Sequence, residues 1–168
     1  MKALEAVAEI LKREGVEYLF CYPTTPIIEA VAHVGIRPIV CRQERVGLGM
    51  ADAYSRINNG KRIGAFAMQG GPGAENAYGG VAQAFADSIP ILVIPGGQKR
   101  ALTETHPNFE AVENYRGITK WAGNVNMANR IPEFMHMAYS QLRYGRPGPV
   151  MIEVPTDVQK EDFTGSFD

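Results

Sequence analysis

Short apolar runs cut off by proline or glycine recur along this chain, and between them the apolar residues switch to helical spacing. The runs at 18–22, 38–41, 63–68, 89–94 and 150–154 carry almost no polar side chain on either face. A strand that is apolar on both faces needs a covering layer on each, and parallel crossover helices supply both. The pattern predicts an α/β fold with about six strands in a mostly parallel sheet and helices on both faces.

The helical segments fit that frame. Leu4, Val7, Ala8 and Leu11 share a face ahead of Gly15, and Pro26 opens a helix to about Val34 that Gly35 closes. Glu44–Ile57 reads as a helix ended by the turn Asn58-Asn59-Gly60, and a small-residue helix follows over 74–85. Ile131, Phe134, Met135, Ala138 and Leu142 share a face over 131–142. Pro95, Gly96 and Gly97 are expected to end the strand at 89–94. Residues 98–117 form a polar stretch with one or two helical turns, and a short strand is expected at 119–122. With 168 residues there is material for one substantial core. One domain is expected over 1–160, with 159–168 reading as a terminus leaving the fold and 161–168 as a tail or the start of a linker.

Charge and composition narrow the functional classes. Seventeen Lys plus Arg against 18 Asp plus Glu give a net charge of -1, with no electrostatic case for nucleic acid or an anionic membrane. No apolar run approaches the roughly 18 residues needed to span a bilayer. The opening MKALEAVAEILKREG has acidic residues where a signal peptide is uninterruptedly apolar, so a cytoplasmic location is expected. Cys21 and Cys41 lie in apolar segments and suit buried thiols, and His33, His106 and His136 match no zinc-ligand spacing.

In open parallel sheets, ligands bind beyond the carboxyl ends of the strands, and the candidate residues fall there. Arg42-Gln43-Glu44 leads from a strand into a helix whose Gly47, Gly49, Ala51 and Ala53 permit close approach by another backbone or a ligand. A carboxylate at a helix start is also explained by the free amides and the dipole, so Glu44 is a cap or a functional acid. Gln69-Gly70-Gly71-Pro72-Gly73 is a glycine-rich strand-to-helix loop without the GK[ST] of a P-loop. It fits a tight turn, a phosphate cradle, or a cofactor-edge or subunit contact. Thr24-Thr25-Pro26 offers hydroxyls and amides either to a ligand or to a helix cap, and Phe109-Glu110 lines a pocket or anchors a loop.

Seven stretches in order carry a likeness to a known family: 13–17 running into Phe20-Cys21-Tyr22-Pro23; Arg42-Gln43-Glu44; 50–56; Gly71-Pro72-Gly73-Ala74-Glu75-Asn76; Asp87-Ser88-Ile89-Pro90; Ile118-Thr119-Lys120; and 145–150 followed by Ile152-Glu153-Val154-Pro155. Over about residues 1–160 the chain resembles the amino-terminal pyrimidine-binding (Pyr) domain of thiamine diphosphate enzymes, in particular the acetolactate synthase-like group. The resemblance implies that Glu44 hydrogen-bonds N1′ of the cofactor's aminopyrimidine and promotes ylide formation for attack on a 2-oxo acid, in a decarboxylase or carboligase. It implies a pyrimidine cleft framed by Tyr22, Pro23, Pro26, Gly71, Pro72, Gly73 and Asn76. On the substrate side it implies Thr24, Thr25, Gln43, Phe109 and Glu110.

The chain departs from the family at four places. It has Thr24-Thr25 where Gly-Gly is frequent, Gln43 where His is frequent, and Glu110 where Gln is frequent. A carboxylate at that last position is expected to repel an anionic substrate. No Gly-Asp-Gly motif occurs, so the cofactor's diphosphate and its Mg²⁺ are expected to be held by another domain or subunit, in a homo- or hetero-oligomer. Two other readings remain: a non-catalytic regulatory or interaction module on the same fold, and an unrelated nucleotide-binding α/β domain using the 70–73 loop.

Overall fold

A computed structural model of the chain describes residues 1–23 and 26–167. Six strands, β1 (Tyr18–Cys21), β2 (Arg37–Val40), β3 (Gly64–Met68), β4 (Ile91–Gly97), β5 (Trp121–Asn124) and β6 (Val150–Pro155), pair in the order β2-β1-β3-β4-β6-β5. Every pairing is parallel. Successive side chains of a strand point to opposite faces, and each face has its own apolar cluster. Leu19, Ala65, Leu92, Val150 and Ile152 meet α1 (Ala3–Arg13), α2 (Ile27–His33) and α6 (Ile131–Arg143). Phe20, Phe66, Val93 and Met151 meet α3 (Glu44–Ile57), α4 (Pro72–Ala86) and α5 (Ala111–Tyr115). The expected α/β architecture is therefore the one observed.

Most boundaries fall within two residues of expectation, and three differences have a local reason. Strand β4 runs through Pro95 to Gly97: Pro95 stays in register with Met68 of β3, while pairing with β6 lapses at Ile94 and Pro95 and resumes at Gly96–Val154. Strand β5 begins at Trp121 because the buried Thr119 hydroxyl turns back to donate to the Tyr115 carbonyl at 2.8 Å. The chain does not leave the fold at Gln159. A turn of 3₁₀ helix over Val158–Lys160 and the buried Phe163 close against the first helix, whose leading amide needs an acceptor: Ala3 N–H donates to Glu161 O at 3.0 Å. Phe163 N–H donates to Met1 O at 2.9 Å, and Lys2 pairs with Asp162.

Cys21 and Cys41 are buried free thiols, as expected, and burial pushes the Cys21 thiol up to about 11. Among the described residues, no helix is long and apolar enough to cross a membrane.

Candidate functional site

The carboxyl ends of β1 and β3 lie side by side, yet β1 hands the chain to α2 on one face and β3 hands it to α4 on the other. Loops that part in this way open a crevice between them, the position where doubly wound sheets take ligands. Tyr22 N–H is tied to Ala67 O at 3.1 Å, which fixes the β1 side of this opening. Thr24 and Thr25, both expected here, lie outside the described residues.

Glu44 is the first residue of α3 and is buried, with 6% exposure. Gln43 holds the helix-capping position in an extended conformation without a side-chain cap bond, and its side chain is exposed. The Glu44 side chain instead reaches across to α4, where Asn76 Nδ2 donates to Oε2 at 3.3 Å. Gly71, with φ +57°, makes the left-handed turn that starts α4, and Pro72 occupies its first position. One residue on, a Cβ added at Gly73 would stand 3.3 Å from Glu44 Oε1. The structure thus brings together Glu44, Gly71, Pro72, Gly73 and Asn76, which are dispersed in sequence. Of the two Glu44 carboxyl oxygens, Oε2 is engaged by Asn76, and Oε1 is the one that lies nearest Gly73.

Next to this group, a cavity of about 260 Å³ opens between Pro26, Gln69, Gly70, Gly97, Gln98 and Gln159. A larger one, of about 610 Å³, lies at the other end of the sheet, near Ser55, Arg56 and Pro90. Its principal polar groups are already paired. Ser55 Oγ bonds Pro90 O and Gly64 N, and Arg56 bonds Asp52 and Asp87. The smaller cavity is the one at the carboxyl ends of β3 and β4.

Phe109 and Glu110 are not in the Glu44 group, and no hydrogen bond or ion pair among the described residues joins them to it. Glu110 caps α5, and its Oε1 accepts from Glu104 N–H at 3.0 Å. One buried acid was passed over by sequence reasoning as a functional group: Glu153, in β6. Burial pushes the Glu153 carboxyl up to about 7, the Asn124 hydrogen bond opposes that rise, and the Glu110 charge adds to it. The sequence signal was present as a single Glu inside Val-Met-Ile-Glu-Val-Pro.

The chain belongs to the family described as the thiamine pyrophosphate enzyme, N-terminal TPP binding domain, whose model matches residues 1–116. Among curated relatives, the acetolactate synthase large subunit of Haemophilus influenzae is 32% identical over 97% of this chain and 29% of its own length. The chloroplastic acetolactate synthase of Arabidopsis thaliana is 35% identical over 95% of this chain and 24% of its own. A probable acetolactate synthase large subunit of Methanocaldococcus jannaschii is 32% identical over 95% of this chain and 27% of its own. The chain spans about a quarter of the length of the curated relatives it matches.

Proposed function

We propose that this chain is the pyrimidine-binding half of a thiamine diphosphate-dependent 2-oxo acid decarboxylase or carboligase, acetolactate synthase-like, working in the cytoplasm within an oligomer. Glu44 is its acid/base residue. The observation that carries this reading is the buried Glu44 carboxyl, held through Oε2 by Asn76, with Gly73 leaving no side chain against Oε1. A carboxyl sheltered from water and fixed at one oxygen exchanges a proton at the other with little reorganisation. Aspartate would fall one methylene short of that position, and glutamine could hydrogen-bond but not supply the proton.

The residues present suit the pyrimidine end of the cofactor. Tyr22, Pro23 and Pro26 border the β1 side of the crevice and Gly71 to Asn76 border the β3 side, with Glu44 between them as the group that holds the proton at N1′. They do not suit the diphosphate end: among the described residues, no group of three or more His, Cys, Asp or Glu could hold a metal. The diphosphate and Mg²⁺ are assigned to another domain or subunit. Once bound, the cofactor supplies the electron sink on which a 2-oxo acid loses carbon dioxide.

Calorimetry tests the assignment in two stages. The chain alone should bind thiamine diphosphate negligibly, and the chain completed by its diphosphate-binding partner should bind it in a magnesium-dependent way. In the completed enzyme, Glu44→Gln should leave the melting temperature unchanged and slow exchange of the cofactor C2 proton by at least about a hundredfold, the scale for removing a positioned acid/base. An unchanged exchange rate removes Glu44 from the chemistry.

A further inference from the structure

Two cavities adjoin at the amino ends of β3 and β4, the far end of the sheet from Glu44. Helix α3 runs 14 residues from Glu44 to Ile57, which puts about 20 Å between that carboxyl and the turn after the helix. In the turn Asn59 and Gly60 both take positive φ, 52° and 69°, and Gly60 N–H donates to Ser55 O at 2.9 Å. The next residue, Lys61, lines the cavity of about 610 Å³ and also a second one of about 390 Å³. Arg143, at the end of α6, lines both as well.

The smaller of the two has a phenol in its wall that the chain leaves unpaired. Tyr139, on the buried face of α6, lines it and is 2% exposed, and its hydroxyl has no hydrogen-bond partner. No other buried side-chain oxygen or nitrogen among the described residues is in that state. In a closed core phenylalanine would fill the same space without stranding a polar group. Burial also pushes the phenol's pKa upward, so the hydroxyl stays protonated and is a donor in want of an acceptor.

The surrounding charge favours an anion. Glu14 and Glu17 line the smaller cavity, but Glu14 is taken by Arg143 Nη2 and Glu17 by Arg62 at 2.6 Å. Arg143 lays its guanidinium over the Tyr139 ring, 5.1 Å from the centroid. The charged residues lining the larger cavity are Arg56, Lys61 and Arg143, all cations. Arg56 is held by Asp52 and Asp87, whereas the Lys61 ammonium has no ion pair or hydrogen bond among the described residues. Ile89, Pro90 and Leu142 supply an apolar wall beside it.

We propose that these adjoining cavities form a second ligand site, one that takes a small organic carboxylate. The oxyanion sits at the junction, between Lys61, Arg143 and the Tyr139 hydroxyl, and the hydrocarbon body lies against Ile89, Pro90 and Leu142. An oxyanion supplies both things missing there, an acceptor for the phenol and a countercharge for Lys61. A water would satisfy the phenol and leave Lys61 and the apolar wall unused. With α3 between them, this ligand does not touch Glu44 and is distinct from the substrate of the proposed thiamine site.

Hexanoate is the probe, added to the 168-residue chain and followed by amide NMR and calorimetric melting, with no cofactor present. Millimolar hexanoate should shift the Gly60, Lys61 and Tyr139 amides saturably and raise the melting temperature. Hexanamide, which has the same body without the charge, should bind at least about tenfold more weakly, and Lys61→Met, which keeps an apolar stem, should weaken hexanoate by about the same factor. Tyr139→Phe gives the discriminating sign. Without ligand it should melt no lower than wild type, because the hydroxyl it removes has no partner, and with hexanoate it should lose most of the rise. Lys61 is exposed and Tyr139→Phe preserves the ring, so both variants should fold. A Tyr139→Phe chain that melts lower without ligand shows a hydroxyl already satisfied by water, and that overturns the site. Equal affinity for hexanoate and hexanamide, or no saturable shift at those amides, overturns it as well.

Discussion

Gly73→Ala isolates the placement of Glu44 from its chemistry. The new methyl would sit 3.0 Å from Gln69 Cβ and 3.3 Å from Glu44 Oε1, against an ordinary carbon contact of about 3.5–4 Å. Gln69 belongs to the backbone turn that starts α4 and yields little, so the carboxyl must move by a few tenths of an ångström. Alanine in place of glycine in a helix gains up to about 1 kcal/mol, and the tight contact costs a similar amount. The net change in stability should stay within about 1 kcal/mol, or roughly 4 °C in melting temperature for a domain of this size.

Catalysis should respond much more. Misplacing a reacting group by about 1 Å costs on the order of a hundredfold, so half of that displacement predicts roughly a tenfold slower C2-proton exchange in the completed enzyme. Gly79→Ala is the control on the same helix, because its methyl would meet only the flexible end of Arg45, at 3.0 Å. It should raise the melting temperature slightly and leave exchange alone. A Gly73→Ala enzyme that exchanges at the wild-type rate, or a Gly79→Ala enzyme that loses as much, would show that the Gly73–Glu44 contact does not set the carboxyl's position.

The interior of the fold was legible because β3, β4 and β6 are apolar on both faces, and little other than a doubly covered parallel strand accommodates such runs. Legibility fell at the margins. Trp121–Asn124 is an edge strand whose start is set by one Thr119 hydroxyl bond, and no periodicity reports that. The C-terminal return was hidden because Val158 and Phe163, which bury it, are isolated in a polar stretch.

At the site, Glu44 and the 71–76 loop were readable from motif order, since each sits at a strand end. That they touch became visible only through the adjacency of α3 and α4. Phe109 and Glu110 were expected on the substrate side, and sequence had no means of showing that Glu110 would instead hold the Glu104 amide at the start of α5. Local pattern reports burial well, whereas it is silent on which distant side chain fills the space next to a glycine.

Two further measurements probe the frame that holds the site. Ser55 Oγ, 1% exposed as a residue, donates to Pro90 O at 2.6 Å and accepts from Gly64 N–H at 2.8 Å. Ser55→Ala strands both backbone groups and should cost about 2–3 kcal/mol, lowering the calorimetric melting temperature by roughly 5–10 °C; a loss below about 0.5 kcal/mol would mean the bridge is dispensable. The second measurement is denaturant stability against pH. With the Glu153 carboxyl near 7 folded and about 4.5 unfolded, the folded chain binds the extra proton between those values, so stability falls as pH rises through that window and levels off above it. A shift of that size corresponds to roughly 2–4 kcal/mol, and Glu153→Gln should abolish the slope because amide and protonated carboxyl lack the charge that burial penalises. A wild-type chain whose stability is flat or increases from pH 5 to 7 would require an ionised Glu153 to be accommodated without cost, contrary to a carboxylate buried in β6 against Gly97 of β4 and Asn124 of β5.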